Sequence, residues 1–159
     1  MLTALAVSLS TFAIPIGASK CFPIQHLCNV IAGVFLGPGY GVAMAFCTSL
    51  IRNLIGTGSP LAFPGSMVGA FLCGFLYQHT GKLAAAYFGE VFGTGIIGGL
   101  LCYPVATLLM GQEAALFAYV IPFLISTAGG TVMAMILVGA LYQSGAMSYL
   151  KGVLGGTAR

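Results

Sequence analysis

Charged side chains are almost absent from this sequence, and that scarcity limits the possible folds more than any other feature. The 159 residues include five Lys or Arg and two Asp or Glu, or 4%, whereas 59% are hydrophobic. Soluble domains carry about 25% charged residues, so these few charges cannot cover a water-soluble globule of this length. The composition excludes a soluble enzyme, a disordered chain and a nucleic-acid binder. It predicts a single membrane domain over residues 1–159 in a lipid bilayer.

Breaks rich in glycine and proline divide the apolar sequence into six predicted transmembrane helices, which makes the fold class all-α integral membrane. The clearest breaks are GPGYG at residues 37–41, GTGSP at 56–60 and QHTGK at 78–82. Pro122 is expected to bend the sixth helix. The predicted helices cover about residues 2–14, 23–36, from the first break to 55, 64–77, 83–110 and 115–142.

The positions of the positive charges predict the orientation of the chain. With six helices, both termini lie on one side of the membrane, and Lys and Arg are enriched in cytoplasmic loops. The side of the termini holds Lys82, Lys151 and Arg159, whereas the other side holds Lys20 and Arg52. This small excess predicts that both termini are cytoplasmic.

A polar cluster lies at the start of the second predicted helix. Gln25 and Asn29 are four residues apart and His26 and Asn29 are three apart, so all three share one side of a helix beginning at Pro23. Interhelical hydrogen bonds of about 1 kcal/mol each would explain single groups of this kind. Three of them together, close to the outer surface, favour a binding role, because polar groups at membrane depth are costly.

Two ionisable residues lie inside apolar segments. Arg52, followed by Asn53, is near the end of the third helix, where it reaches the interface, lines a polar cavity or holds a loop in place. Glu90 is the acidic residue of the fifth helix. On the predicted orientation Glu90 lies in the cytoplasmic half and Arg52 in the outer half, so no direct ion pair is expected between them. For Glu90, structural pairing, ligand contact and contact with a partner protein all stay open.

The stretch GTGSPLAFPGS at residues 56–66 is predicted to be a loop because it is rich in Gly and Pro. Non-helical backbone persists at membrane depth only where it is buried in protein or lines a cavity, so this loop is a candidate lid or pocket wall. Small residues spaced four apart predict close packing of the fourth and fifth helices. These pairs are Gly65 and Gly69, Gly89 and Gly93, and Gly95 and Gly99.

The sequence lacks the motifs of known catalytic chemistry. Gly81 and Lys82 are followed by Leu83 and not by the Ser or Thr of a phosphate-binding loop, and neither HExxH nor GxSxG occurs. The chain is therefore predicted not to be an enzyme and to hold no metal or cofactor of its own.

Three segments resemble the substrate-binding S components of energy-coupling-factor (ECF) vitamin transporters, and among them the ThiW type, assigned to the thiazole precursor of thiamine. They are PIGA at 15–18 with KCFPIQH at 20–26, GTGSPLAFPGSM at 56–67, and GE at 89–90 with GTG at 93–95. The resemblance implies a six-helix bundle in a prokaryotic cytoplasmic membrane, with a ligand pocket near the outer face. It also implies two kinds of partner, a membrane-embedded T component that Ala4 and Ser8 would contact and two cytoplasmic ATPases that use ATP.

The same resemblance implies hydroxyethylthiazole as the ligand, a small aromatic molecule with one hydroxyl group and one ring nitrogen. Amide and imidazole groups can satisfy those atoms, and aromatic side chains such as Phe22 can cover the ring. An anionic ligand would instead favour Lys20 and Arg52 as counter-ions. The predicted substrate-binding residues are Gln25, His26, Asn29, Arg52, Asn53, Ser59, Phe63, Ser66, Glu90 and Tyr103.

Three other functions are compatible with these residues. The first is an S component for another vitamin or precursor, such as a pyrimidine. The second is a small proton-coupled secondary carrier that uses Glu90 or His26 and works without ATPases. The third is a structural subunit of a membrane complex, which would bind no ligand.

Overall fold

The computed structural model describes residues 1–9, 14–16, 19–111, 113, 115–145 and 152, with only the backbone described at 14–16, 19 and 20. The side chain of Lys20, together with Lys151 and Arg159, on which the predicted orientation depends, therefore lies outside the described residues. Apart from one short hairpin, the described chain is helical, in agreement with the predicted class. Its helices are α1 (Leu2–Ser8), α2 (Pro23–Leu36), α3 (Pro38–Leu54), α4 (Ala62–Thr80), α5 (Leu83–Leu109) and α6 (Val120–Gln143).

The first helix is shorter than predicted, because the chain forms a hairpin before α2. Strands β1 (Ile14–Ile16) and β2 (Ser19–Cys21) pair antiparallel, with Ile14 opposite Cys21. The prediction of a helix to residue 14 was therefore wrong. Pro15 accounts for the extended backbone at Ile14, since the ring of a proline disfavours helical backbone in the preceding residue.

Helices α4 and α6 begin at other residues than predicted, and each has a proline in its first turn. Helix α4 starts at Ala62, so Phe63 and Ser66 are helical, and the loop expected over 56–66 ends at Leu61. Pro64 is the third residue of this helix, where no intrahelical partner is needed for the missing N–H. Pro122 has the same place in α6, so it does not bend that helix.

Helix α5 confirms the predicted fifth segment almost to the residue, but its hydrogen bonding is irregular. The stretches Val91–Gly98 and Val105–Leu109 are π-helical. The second follows Pro104, which cannot donate the usual backbone hydrogen bond. The first follows Glu90 directly. Wide turns of this kind are frequent at functional sites.

Helix α2 lies at the centre of the bundle. It packs against α3, α4 and α6, and α4 packs in turn against α3 and α5. The hairpin, the α3–α4 connection and the start of α6 lie together at one end, here called the hairpin end. The tight turns at Gly37 and Gly81, both with positive φ (88° and 66°), lie together at the opposite end.

The polarity of the bundle is reversed from that of a soluble protein. Large apolar side chains such as Phe71, Phe88 and Ile136 are exposed, whereas the ionisable side chains of Arg52 and Glu90 are fully buried. Apolar clusters on either side of the buried polar groups complete the interior. Among the described helices, α5 and α6 are long and apolar enough to cross a membrane. An outer surface of this kind suits contact with lipid better than contact with water.

Candidate functional site

Glu90 of α5 is the centre of a hydrogen-bonded group in the bundle interior. Its side chain is 0% exposed, and its Oε1 atom accepts hydrogen bonds from three donors. These are His26 Nδ1 at 2.9 Å, Asn29 Nδ2 at 3.1 Å and Thr94 Oγ1 at 3.1 Å. His26 and Asn29 come from adjacent turns of α2, and Thr94 lies one turn beyond Glu90 on α5. Three donors on a single carboxylate oxygen stabilise a negative charge in a place that water does not reach.

Arg52 is the second buried ionisable residue and lies near the hairpin end. Only 1% of its surface is exposed, and its Nη1 atom donates to Gln25 Oε1. The guanidinium carbon lies 3.6 Å from the centre of the Phe22 ring, a cation–π contact. Its Nε and Nη2 atoms have no partner among the described residues. Arg52 is therefore buried, in contrast to the alternative that it reaches the membrane interface.

Two serines connect these groups into one band. Gln25 Nε2 donates to Ser49 Oγ at 3.3 Å, Ser49 Oγ is 3.2 Å from Ser66 Oγ, and Asn29 Nδ2 lies 3.3 Å from the carbonyl oxygen of Ser66. We call this set the polar band. It crosses α2, α3, α4 and α5 and consists of Gln25, His26, Asn29, Ser49, Arg52, Ser66, Glu90 and Thr94.

The face predicted for α2 is confirmed, since Gln25, His26 and Asn29 are all buried. The expectation that Arg52 and Glu90 do not pair directly also agrees with the structure. Glu90 has His26 as its ionisable partner, whereas Arg52 contacts Gln25.

Helix α6 adds polar groups that the sequence analysis missed. Thr127 Oγ1 donates to the backbone oxygen of Glu90 at 3.4 Å, and Ser126 Oγ accepts from the Phe22 N–H at 2.8 Å. Thr131, one turn further along, is buried with an unpartnered hydroxyl. The spacing of Thr127 and Thr131 within an apolar run is a signal that could have indicated an inward polar face.

Asn53 and Ser59 hold the loop between α3 and α4 and do not join the polar band directly. Asn53 Nδ2 donates to the carbonyl oxygens of Ser49 at 2.8 Å and Ser59 at 3.1 Å. Ser59 Oγ accepts from the Leu61 N–H at 3.3 Å. Both side chains are half-buried. The two side chains therefore fix the backbone of the α3–α4 connection at the hairpin end. They support the polar band from beside it.

Phe63 and Tyr103 are not brought into the band. The Phe63 ring packs against Phe46, with ring centres 5.6 Å apart, on the outer side of the bundle. Tyr103 is half-buried near the end of α5 and makes no hydrogen bond to the band within the described residues. Ala4 and Ser8 are exposed on α1. Phe22, through its contact with Arg52, is the aromatic side chain that adjoins the band.

Glycines allow α4 and α5 to approach closely beside Glu90. A Cβ atom on Gly69 would lie 2.9 Å from Glu90 Oε2, and one on Gly93 would lie 2.9 Å from the Gly69 Cα. A Cβ on Gly89 would lie 2.7 Å from the Leu72 carbonyl oxygen. The predicted close packing of these two helices is confirmed. Gly95 and Gly99 differ, because they face Leu124 and Val120 of α6.

A cavity of about 360 Å³ lies at the opposite end of the bundle, away from the polar band. It is lined by the end of α2 with Tyr77, Gln78 and Gly81. Within the described part of the chain, no three His, Cys, Asp or Glu side chains come together as a metal site. No residue of the polar band lines this cavity.

Comparison with known families decides the class of protein. A family model described as thiamine-precursor transporter protein (ThiW) matches residues 1–144. The chain belongs to the ThiW family. The match includes every helix from α1 to α6 and every residue of the polar band, so this ThiW chain is a membrane protein of a transporter family. No curated protein and no solved structure matches it at a significant level.

Proposed function

We propose that the chain is the substrate-binding S component of an ECF-type importer and that it binds hydroxyethylthiazole. It would cross the cytoplasmic membrane of a prokaryote six times with both termini in the cytoplasm. The hairpin end would then face outward, and the polar band would lie below it. Membership of the ThiW family supports transport of a thiamine precursor, and the band supports a binding site inside the bundle.

The observation that carries this proposal is the set of unpartnered polar atoms inside the band. Asn29 Oδ1, Glu90 Oε2, and Nε and Nη2 of Arg52 are buried without a hydrogen-bond partner among the described residues. An unsatisfied buried polar atom costs about 1–3 kcal/mol, so helix packing alone does not explain four of them in one band. A polar ligand that supplies the missing partners does explain them.

The chemistry of the band suits a small heteroaromatic alcohol. Asn29 Oδ1 can accept a hydrogen bond from a ligand hydroxyl, and imidazole or amide N–H groups can donate to a ring nitrogen. Phe22 already has one ring face against Arg52 and offers aromatic surface at the entrance. Small-molecule sites combine apolar walls with a few placed polar groups in this way.

The partner subunits follow from the ECF assignment. Exposed Ala4 and Ser8 lie on α1, where small side chains permit close approach of another membrane helix. We assign this face to the T component. Two cytoplasmic ATPases would supply the energy, since this chain carries no nucleotide-binding motif.

A proton-coupled carrier is the second candidate, and the pair formed by His26 and Glu90 is the observation that favours it. Nδ1 and Oε1 are 2.9 Å apart in a buried site, and buried ionisable pairs of this kind serve as proton relays in secondary transporters. A carrier predicts thiazole uptake into vesicles that lack any ATPase, abolished by Glu90→Gln but not by Glu113→Gln. An S component predicts no net uptake in the same vesicles.

The binding role of the band is tested by His26→Ala and Asn29→Ala. Each variant is expected to weaken binding of hydroxyethylthiazole by about 1–3 kcal/mol, because ligand groups lose their partners. Titration calorimetry of the detergent-purified proteins measures the effect.

His79→Ala is the matched control for the histidine variant. His79 is exposed at the end of α4 and packs on Phe75, with ring centres 4.1 Å apart, so its removal is expected to leave the affinity unchanged. Wild-type affinity in both the His26 and the Asn29 variants would place the ligand elsewhere.

A further inference from the structure

Arg52 is a buried cation that has neither of the chain's two acidic side chains as its partner. The sequence contains two acidic residues, Glu90 and Glu113, and the structure describes both. Glu90 is paired with His26, and Glu113 is exposed in the connection after α5. The undescribed residues hold no Asp or Glu. The guanidinium of arginine stays protonated in proteins, so the charge of Arg52 persists without a carboxylate beside it.

Among the described residues, the contacts of Arg52 involve Nη1 and one ring face of its guanidinium and leave one edge without a partner. Nη1 is occupied by the neutral amide oxygen of Gln25, and one face is covered by the Phe22 ring. The N–H groups of Thr57 and Gly58 both donate to the Arg52 carbonyl oxygen at 2.9 Å, which ties the start of the loop to the backbone of this residue. Nε and Nη2, which form one edge of the planar group, have no partner among the described residues.

The Nε–Nη2 edge of a guanidinium matches two oxygen atoms of a carboxylate or a phosphate, with two parallel hydrogen bonds. We infer that this site also accepts a thiazole precursor that bears an oxyanion, held by Nε and Nη2 of Arg52, and prefers it to the neutral alcohol. A phosphate monoester on the hydroxyethyl arm or a carboxylate on the ring would supply it. This inference rests on the proposed function and specifies the class of substrate.

Burial favours a small ligand over a lipid headgroup as the source of the oxyanion. The residue is 1% exposed, and the Phe22 ring covers one face of its guanidinium. A headgroup phosphate stays at the membrane interface, whereas a small substrate can enter the band and be enclosed there. The ring of the substrate would extend from Arg52 toward Asn29 and His26, whose groups suit a neutral heterocycle.

Calorimetry with two related ligands tests the inference on the wild-type chain. Hydroxyethylthiazole and its phosphate monoester are titrated into the protein in a non-ionic detergent, with inorganic phosphate as a third titrant. The monoester is expected to bind about ten- to a hundredfold more tightly than the alcohol, and inorganic phosphate weakly. Equal or tighter binding of the alcohol would overturn the inference and leave the proposed function standing. Failure of both thiazoles to bind would overturn both.

Variants of Arg52 test whether this residue is the source of the preference for the monoester over the alcohol. In Arg52→Gln the preference for the monoester is expected to disappear, whereas Lys82→Gln, at the exposed turn between α4 and α5, should retain it. If Arg52→Gln does not fold, Arg52→Lys is used, in which loss of the paired donors should reduce the preference. An unchanged preference in the folded variant would overturn the inference. So would competition by phosphatidylglycerol added to the micelles, because it would identify a lipid as the occupant.

Discussion

Glu90→Ala is expected to lower the free energy of unfolding by about 3–5 kcal/mol, because it removes the acceptor of several buried donors and each unpaired donor costs about 1–3 kcal/mol. The variant leaves His26 Nδ1 and Thr94 Oγ1 without their acceptor, and Asn29 Nδ2 without its carboxylate partner. It also leaves an empty volume between α2, α4 and α5. Denaturation of the purified protein in mixed micelles, followed by circular dichroism, measures the change.

Glu113→Ala is the control for this prediction. Glu113 is exposed in the connection between α5 and α6, and exposed substitutions change stability by about 0.5 kcal/mol or less. Comparable stability of the Glu90 and Glu113 variants would show that the carboxylate at the centre of the band does not organise the helices around it.

Gly89→Ala is expected to have the second-largest effect, a loss of about 3 kcal/mol from overpacking. The new Cβ would lie 2.7 Å from the carbonyl oxygen and 2.8 Å from the carbonyl carbon of Leu72, and 2.9 Å from the Cys73 nitrogen. All three are backbone atoms of α4, so no side-chain rotation can relieve the contact. The whole of α5 would have to move, and Glu90 would move with it.

Gly139→Ala provides the matched glycine substitution. Gly139 is within α6, and no atom of the described residues lies within 4 Å of a Cβ added there. Alanine there should leave the protein as stable as the wild type or slightly more stable, because alanine favours helix. If the thermal unfolding midpoints of the two variants agree, the close approach of α4 and α5 is not required.

The sequence predicted the helices best where glycine and proline mark both ends. Helix α2 begins at Pro23 and ends before Gly37, and the prediction agrees at both residues. Two of the errors involve prolines, since Pro64 was predicted to lie in a loop and Pro122 to bend its helix. Pro64 and Pro122 lie inside the first turns of α4 and α6, and only the three-dimensional structure shows that they begin helices there.

The site was predictable to the extent that it depends on spacing along one helix. The shared face of Gln25, His26 and Asn29 follows from helical periodicity. The partner of Glu90 does not, because His26 is 64 positions away, and the meeting depends on how α2 and α5 align. The predictions for Phe63 and Tyr103 rest on residue type, and side-chain chemistry alone gives no information about the direction in which a helix presents them.

Binding of the thiazole by the isolated chain is the most direct test of the proposed function. The detergent-purified protein is titrated calorimetrically with hydroxyethylthiazole, with thiamine and a pyrimidine precursor as controls. We expect saturable binding of the thiazole and no comparable binding of the controls. No binding by protein that circular dichroism shows to be helical would contradict the assignment, and the carrier and structural-subunit functions would then be the ones to test.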